Sequence, residues 1–310
     1  MTLPPDHSSQ DPDDAHHDPL LGALDLSAEL PPTIGELIGQ ARDLDADTLE
    51  RIARYQREHG VKFGEAAIAM GLAREEDVLH ALSRQFGYAY AHAEDEVRGL
   101  SPELVMLQQP FGHQAEAFRA TRSQILLRGG EGEQTARKRP LAIVSPGTGD
   151  GKTFFCANLS VALAQLGGRV LVIDADLRGA RMHQIFNLDN RVGLSNVLSG
   201  RQAMGAVKAV RGVPNLYVLP VGIQPPNPLE LVAGQAFGRL LREVATRFDH
   251  VVVDTPATMF GSDGVVIAAR CGSALIVTRR DVGKVAAARE LVGALQTGRV
   301  LVAGVVMNEF

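Results

Sequence analysis

Cysteine is scarce: the 310 residues hold two, Cys156 and Cys271. Both sit in apolar patterns, which excludes a disulfide-built scaffold and predicts reduced thiols in the core of a cytosolic protein. Excess basic charge is absent too: 31 Lys and Arg stand against 36 Asp and Glu. The formal net charge is −5, and residues 1–32 contain no Lys or Arg. That balance gives no nucleic-acid footprint, and the one tight basic run, Arg137-Lys138-Arg139, reads as a solvated linker or, as the alternative, a contact for an acidic partner or membrane. No apolar run reaches the roughly 18 residues of a membrane span. The N-terminus lacks the basic start and apolar stretch of a signal peptide. These absences together predict a cytoplasmic protein whose membrane role, if any, is reached through a partner.

What is present is a large apolar complement, 45% of the chain, and a length suited to about two domains. Residues 1–32 are rich in Pro, Asp and Ser and read as a disordered acidic tail; His7, His16 and His17 lie among its acids and are expected to be solvated. Residues 33–98 form a small helical domain built on an internal repeat. Ile34-Gly35-Glu36 is followed by Gln56, and Phe63-Gly64-Glu65 by Gln85, at the same spacing. Each copy reads as a short helix, a turn and an amphipathic helix. One copy cannot bury its own apolar face, so the two should pack together.

Residues 101–310 are organised around Ala142-Ile-Val-Ser-Pro-Gly-Thr-Gly-Asp-Gly-Lys152-Thr153-Phe154. This is a short apolar strand, a glycine-rich loop and a helix start. Gly147, Gly149 and Gly151 can take backbone angles closed to other residues, so the amides of Gly147, Thr148, Gly149, Asp150, Gly151, Lys152, Thr153 and Phe154 can wrap a phosphate chain at the positive end of a helix. Lys152 supplies a charge for the β- and γ-phosphates and Thr153 a hydroxyl for Mg²⁺. The strict pattern G-x-x-x-x-G-K-[ST] fails only at its first position, Pro146. Alternating strands (Leu141–Ser145, Val170–Asp174, Leu216–Pro220, Val251–Asp254, Ala274–Thr278, Leu301–Met307) and helices predict an α/β P-loop NTPase fold, mostly parallel, with helices on both faces of the sheet. Two acidic clusters end strands where such folds bind ligands: Asp174-Ala-Asp176 and Asp254-Thr-Pro256. Asp263 reads as a cap of the next helix. Ser101-Pro102-Glu103 reads as a capped helix start. Glu116, Arg119 and Arg122, three apart, form a stripe along the helix that follows: intrahelical ion pairs, or an edge that meets a second subunit.

These motifs resemble the bacterial tyrosine kinases that work with exopolysaccharide chain-length regulators. The resemblance covers about residues 101–310. It is carried by the loop, Ile173-Asp174-Ala-Asp176-Leu-Arg178, Val253-Asp254-Thr-Pro256, Gly193-Leu-Ser-Asn-Val-Leu-Ser-Gly200 and Pro220-Val-Gly-Ile-Gln-Pro-Pro226-Asn227-Pro228-Leu-Glu230. Among these kinases the chain is most similar to the autokinases of exosortase-linked polysaccharide loci. The resemblance implies ATP and Mg²⁺ as cofactors and catalytic roles for Lys152, Asp174, Asp176 and Asp254. Asp174 would accept a proton from tyrosine, and Thr153, Asp176 and Asp254 would hold Mg²⁺. It further implies a homo-oligomer, ring-like in the family, through Glu116, Arg119 and Arg122, and a membrane chain-length-determinant partner that recruits the chain to the inner membrane. Residues 33–90 resemble the N-terminal domain of type II secretion and pilus ATPases. Some of those domains bind cyclic di-GMP through an arginine ahead of each Leu-Gly. Here those positions are Thr33 and Lys62, so protein docking is the expected role and cyclic di-GMP the alternative.

Family members end in a tyrosine cluster, whereas the tyrosines here are Tyr55, Tyr88, Tyr90 and Tyr217. The expectation is weak autophosphorylation, at Tyr88 or Tyr90, with a separate protein as the main acceptor. Two further readings stand beside the kinase: an ATPase switch like those of division-site placement and plasmid partition, and an ATP-bound export scaffold. The switch proteins carry a second lysine five residues before the loop lysine; here that position is Gly147.

Overall fold

The computed structural model describes residues 32–86, 99–128, 139–201 and 203–309. The predicted acidic tail up to residue 31, the Arg137-Lys138 part of the basic run and the tyrosines at 88 and 90 lie outside them. The chain divides into two compact units, residues 1–81 and 82–310. The division falls inside the last repeat helix, and residues 87–98, where the sequence places the boundary, lie outside the described residues.

The first unit consists of α1 (Ile34–Arg42), α2 (Ala46–His59), α3 (Phe63–Ala69) and α4 (Glu75–Phe86). Its core joins Leu37, Ile38 and Ile52 to Ala66, Ala67, Ala73 and Ala81. The Gly-Glu of each repeat copy now has a physical reason. Glu36 and Glu65 sit at the third helical position and accept the backbone N–H of Thr33 (2.7 Å) and Lys62 (2.9 Å). In the first copy the Glu36 N–H donates in return to the Thr33 hydroxyl oxygen (3.3 Å), which completes a capping box. Gly64 lets α3 approach α4: a Cβ there would stand 2.4 Å from Val78 Cγ1. Arg42 Nε donates to Asp77 Oδ2 at 2.6 Å and ties the two copies together.

The second unit is built on a seven-stranded sheet in the order β3-β4-β2-β5-β1-β6-β7. The strands are β1 (Leu141–Val144), β2 (Val170–Asp174), β3 (Lys208–Ala209), β4 (Leu216–Leu219), β5 (His250–Asp254), β6 (Ser273–Arg279) and β7 (Leu301–Asn308). Among the described residues only the β3–β4 pairing is antiparallel. Side chains of β1 and β2 alternate between two cores, as strand geometry requires. Ile143, Val170 and Val172 face one, while Ala142, Val144, Leu171 and Ile173 face the other. Cys156 and Cys271 are free and buried, and burial pushes both thiols up.

Residues 101–104 correct the expected helix start. Ser101 Oγ accepts the Glu103 N–H (3.2 Å), but the chain makes only a turn there; the helices are α5 (Val105–Gln108) and α6 (His113–Arg128). The competing force is tertiary. Asn158, fully buried, accepts the Met106 N–H (3.1 Å) and donates to Glu103 O (2.9 Å), while Leu104, Met106 and Leu107 are sunk in the core. Leaving that amide unmet would cost about 1–3 kcal/mol.

Candidate functional site

The loop between β1 and α7 (Lys152–Ala164) is held by its own side chains. Asp150 Oδ2 accepts the Gly147 N–H (2.8 Å), and Ser145 Oγ donates to Gly147 O (2.6 Å). Gly149 and Gly151 take φ of 74° and 89°, in the left-handed region that favours glycine. Gly151 is the N-cap of α7 and provides no side-chain cap. The first amides of a 13-residue helix therefore point out of its end with no side-chain acceptor on the cap, the condition for binding an anion. Lys152 is 7% exposed, and its Nζ donates to Ser145 Oγ at 3.0 Å.

Thr148, Gly149, Gly151, Lys152, Thr153, Phe154 and Asp176 line one cavity of about 890 Å³. Two of the expected loop residues behave differently. Asp150, 4% exposed, turns inward to brace Gly147, and its carbonyl accepts from Asn308 Nδ2 (3.2 Å), which fastens the loop to the end of β7. Gly147 forms the other half of that brace.

The expected acids come together. Asp174 and Asp254 are register partners at the ends of β2 and β5. Both are buried, at 0% and 1% exposure. Asp174 Oδ1 accepts the Asp176 N–H (3.2 Å), and its Oδ2 accepts those of Met182 (3.1 Å) and Arg181 (3.3 Å). Asp254 Oδ2 accepts the Thr153 hydroxyl (2.7 Å), and Oδ1 accepts the Thr255 N–H (3.1 Å). Burial, then the Asp254 charge, pushes Asp174 well above the usual carboxylate range. Burial pushes Asp254 up to about 7 against the pull of the Thr153 hydroxyl and of Lys152. Two acids forced together in a dry site bind a cation or a proton, and the hydroxyl and carboxylate oxygens suit a small hard divalent ion. Among the described residues no three His, Cys, Asp or Glu side chains converge to hold a metal unaided. Such an ion would have to share its ligands with a bound anion, as Mg²⁺ does with phosphates.

Asp263 is not a cap. It is the first residue of the helix Asp263–Cys271, and Ser262 holds the cap position. Its carboxylate is buried and accepts from Arg178 Nε at 2.6 Å. A charge that far from water needs a partner, and Arg178, on the loop after β2, provides one. Sequence reasoning also missed Ser145, Glu103, Arg181, Phe260 and Glu309. Glu103 and Arg181 are ion-paired, and all but Ser145 line the cavity. Of these only Ser145 carried a signal, its place just ahead of the loop. The helical stripe engages its own chain: Arg119 reaches Glu116 and Pro110 O, and Arg122 Nη1 donates to Ala162 O at 2.8 Å.

Residues 141–310 match the CobQ/CobB/MinD/ParA nucleotide-binding domain family. Over 211 residues the chain is 33% identical to a putative tyrosine-protein kinase, CapB, of Staphylococcus aureus, covering 68% of this chain and 90% of that protein. Over 145 residues it is 40% identical to the tyrosine-protein kinase ptk of Acinetobacter johnsonii, covering 47% of this chain and 20% of the relative. The chain thus spans about a fifth of the length of that larger protein. Among solved structures, the kinase domain of the Escherichia coli tyrosine kinase ETK superposes with a TM-score of 0.65 at 27% identity, covering 71% of this chain and 84% of that one.

Proposed function

The chain belongs to the CobQ/CobB/MinD/ParA nucleotide-binding family and, within it, to the bacterial tyrosine kinases, and we propose that it is an ATP-dependent protein-tyrosine kinase of exopolysaccharide production. The observation that carries the reading is the pair of buried carboxylates, Asp174 and Asp254, set at adjacent strand ends beside the Lys152 loop. The loop amides and Lys152 would bind the triphosphate. Thr153, Asp176 and Asp254 would hold Mg²⁺, which when bound neutralises charge on the transferring phosphoryl group. Asp174, whose proton affinity is raised by burial and by the Asp254 charge, would take the phenolic proton as the acceptor oxygen bonds to the γ-phosphorus. The bond from that phosphorus to the β,γ-bridging oxygen breaks, and ADP leaves with the electron pair.

The test is incubation of the purified chain with Mg²⁺ and γ-labelled ATP, with and without a tyrosine-containing acceptor, followed by mapping of the label. Label on tyrosine is the expected result. Release of inorganic phosphate with no labelled tyrosine on any acceptor would favour the ATPase-switch reading, and binding without turnover the scaffold. Of the described tyrosines, Tyr217 is half-buried with its ring against Phe248, and Tyr55 stacks on His59. Both rings are engaged within the chain, which supports another protein as the main acceptor, with weak labelling at Tyr88 or Tyr90.

Among the described residues no helix is long and apolar enough to cross a membrane. On the likeness to the tyrosine kinases of capsule and exopolysaccharide synthesis, a chain-length-determinant protein is proposed as the membrane partner that recruits this one from the cytoplasm, and the helical unit as a docking module, with cyclic di-GMP as its alternative ligand. Self-assembly is proposed through the Glu116, Arg119 and Arg122 stripe. A triple alanine variant is expected to lower the mass measured by light scattering after gel filtration in the presence of Mg²⁺-ATP; an unchanged mass would return the stripe to the intrachain contacts described above.

A further inference from the structure

We infer that Phe260, with Met259 beside it, is an aromatic-reading lip that selects the acceptor side chain; the inference rests on the kinase reading. These two residues are exposed apolar side chains, 57% and 65% accessible, on a single 3₁₀ turn, Thr258–Phe260. An adjacent pair of large apolar groups held in water marks a contact surface when the backbone fixes it there. Here the backbone does. The Thr258 N–H and hydroxyl both donate to Ser145 O (3.0 and 3.1 Å), and the Met259 N–H donates to Pro146 O (3.1 Å). The Phe260 N–H closes the turn on Ala257 O (3.2 Å), and the Thr148 N–H meets Met259 Sδ at 3.4 Å. The turn is thus fastened to the phosphate loop itself, and Phe260 follows Asp254 by six residues. Phe260 lines the same cavity as Thr148, Lys152, Thr153 and Asp176.

The chemistry of the acceptor follows from that placement. A serine hydroxyl sits on Cβ and offers no ring to hold. A tyrosine hydroxyl stands at the far end of a flat apolar ring, so a fixed aromatic at the cavity mouth can grip the ring while the oxygen enters. Ring pairs of this kind prefer offset or edge-to-face contact. The lip deepens the site by a discriminating contact for tyrosine and has no part in holding phosphate.

The experiment compares the full chain with Phe260→Ser and Phe260→Trp, using a random Glu–Tyr copolymer as acceptor and a fluorescent ATP analogue to measure nucleotide affinity. Phe260→Ser is expected to raise KM for the copolymer about tenfold while nucleotide affinity stays within about twofold, and Phe260→Trp to restore KM. A peptide carrying Phe in place of Tyr is expected to compete with the copolymer on the wild type and to lose that effect on Phe260→Ser. An unchanged KM overturns the lip. Equal loss of nucleotide and acceptor affinity also overturns it, because the ring would then be reading the nucleotide. A wild type that binds nucleotide yet labels no tyrosine instead overturns the kinase reading, and the lip with it. Each variant's melting curve is recorded, and Phe260→Leu, which keeps bulk without a ring, replaces Phe260→Ser if the latter is unfolded.

Discussion

Lys152→Met is expected to reduce phosphoryl transfer by at least about 10²-fold, the loss typical of removing one preorganised charge or donor from a reacting centre, while the sheet stays folded. Lys152 is the first residue of α7, and its ammonium lies against Ser145 Oγ at 3.0 Å, turned into the loop and away from the hydrophobic clusters. Met has similar length and no charge, so the stem keeps its packing. Two things are lost: the cation that would meet the β- and γ-phosphates, and the pull that Lys152 exerts on Asp254, which opposes the upward push of burial. Asp254 should therefore protonate more readily in the variant, and the site should bind Mg²⁺-nucleotide less well at neutral pH. Ser145 Oγ retains its bond to Gly147 O, so the loop has no reason to unravel. Turnover of labelled ATP and a circular-dichroism melt check both halves. Wild-type transfer by a folded Lys152→Met variant would remove the basis for assigning this loop to phosphate.

The parallel sheet was legible because its strands are continuous apolar runs; β2 matches the predicted bounds, and β1, β4, β5, β6 and β7 differ from them by one residue at either end. β3 was not, because Lys208–Ala209 is two residues long, only partly covered, and exists only by pairing with Val218 and Tyr217. The four-residue Met182–Ile185 and five-residue Leu194–Leu198 helices were missed for the same reason. Their ends are set by tertiary bonds, such as the Met182 N–H on Asp174 and the Leu194 N–H on Pro220 O. The loop and both acids were legible because each carries its chemistry in a short run of sequence. Phe260, Asp263 and Asn308 were not, because what they do depends on partners far along the chain. Arg178 lies 85 residues before Asp263, and Asp150 lies 158 before Asn308.

Asp174→Asn is expected to separate transfer from binding: the transfer rate should fall by about 10³-fold, within the range for loss of a general base, and nucleotide affinity by less than about tenfold. The amide cannot accept a proton near neutral pH, which removes the base outright. It also replaces one acceptor oxygen with an N–H₂ group in a site where both oxygens face donors, from Asp176 on one side and from Arg181 and Met182 on the other. At least one of those amides must lose its partner, so the segment from Asp176 to Met182 should loosen, and this is the source of the smaller loss in affinity. The pH profile gives a second reading of the same role. Burial and the neighbouring Asp254 charge raise the proton affinity of Asp174, so wild-type transfer should decline on acidification nearer to neutrality than an exposed carboxylate would allow. That limb should vanish from the residual rate of Asp174→Asn. Asp176→Asn is the control, since Asp176 lines the cavity while Asp174 is fully buried; its main effect should fall on Mg²⁺-dependent nucleotide binding. Equal losses of transfer and affinity in Asp174→Asn, with the acid limb intact, would mean that Asp174 serves the bound ion and that the phenolic proton goes elsewhere.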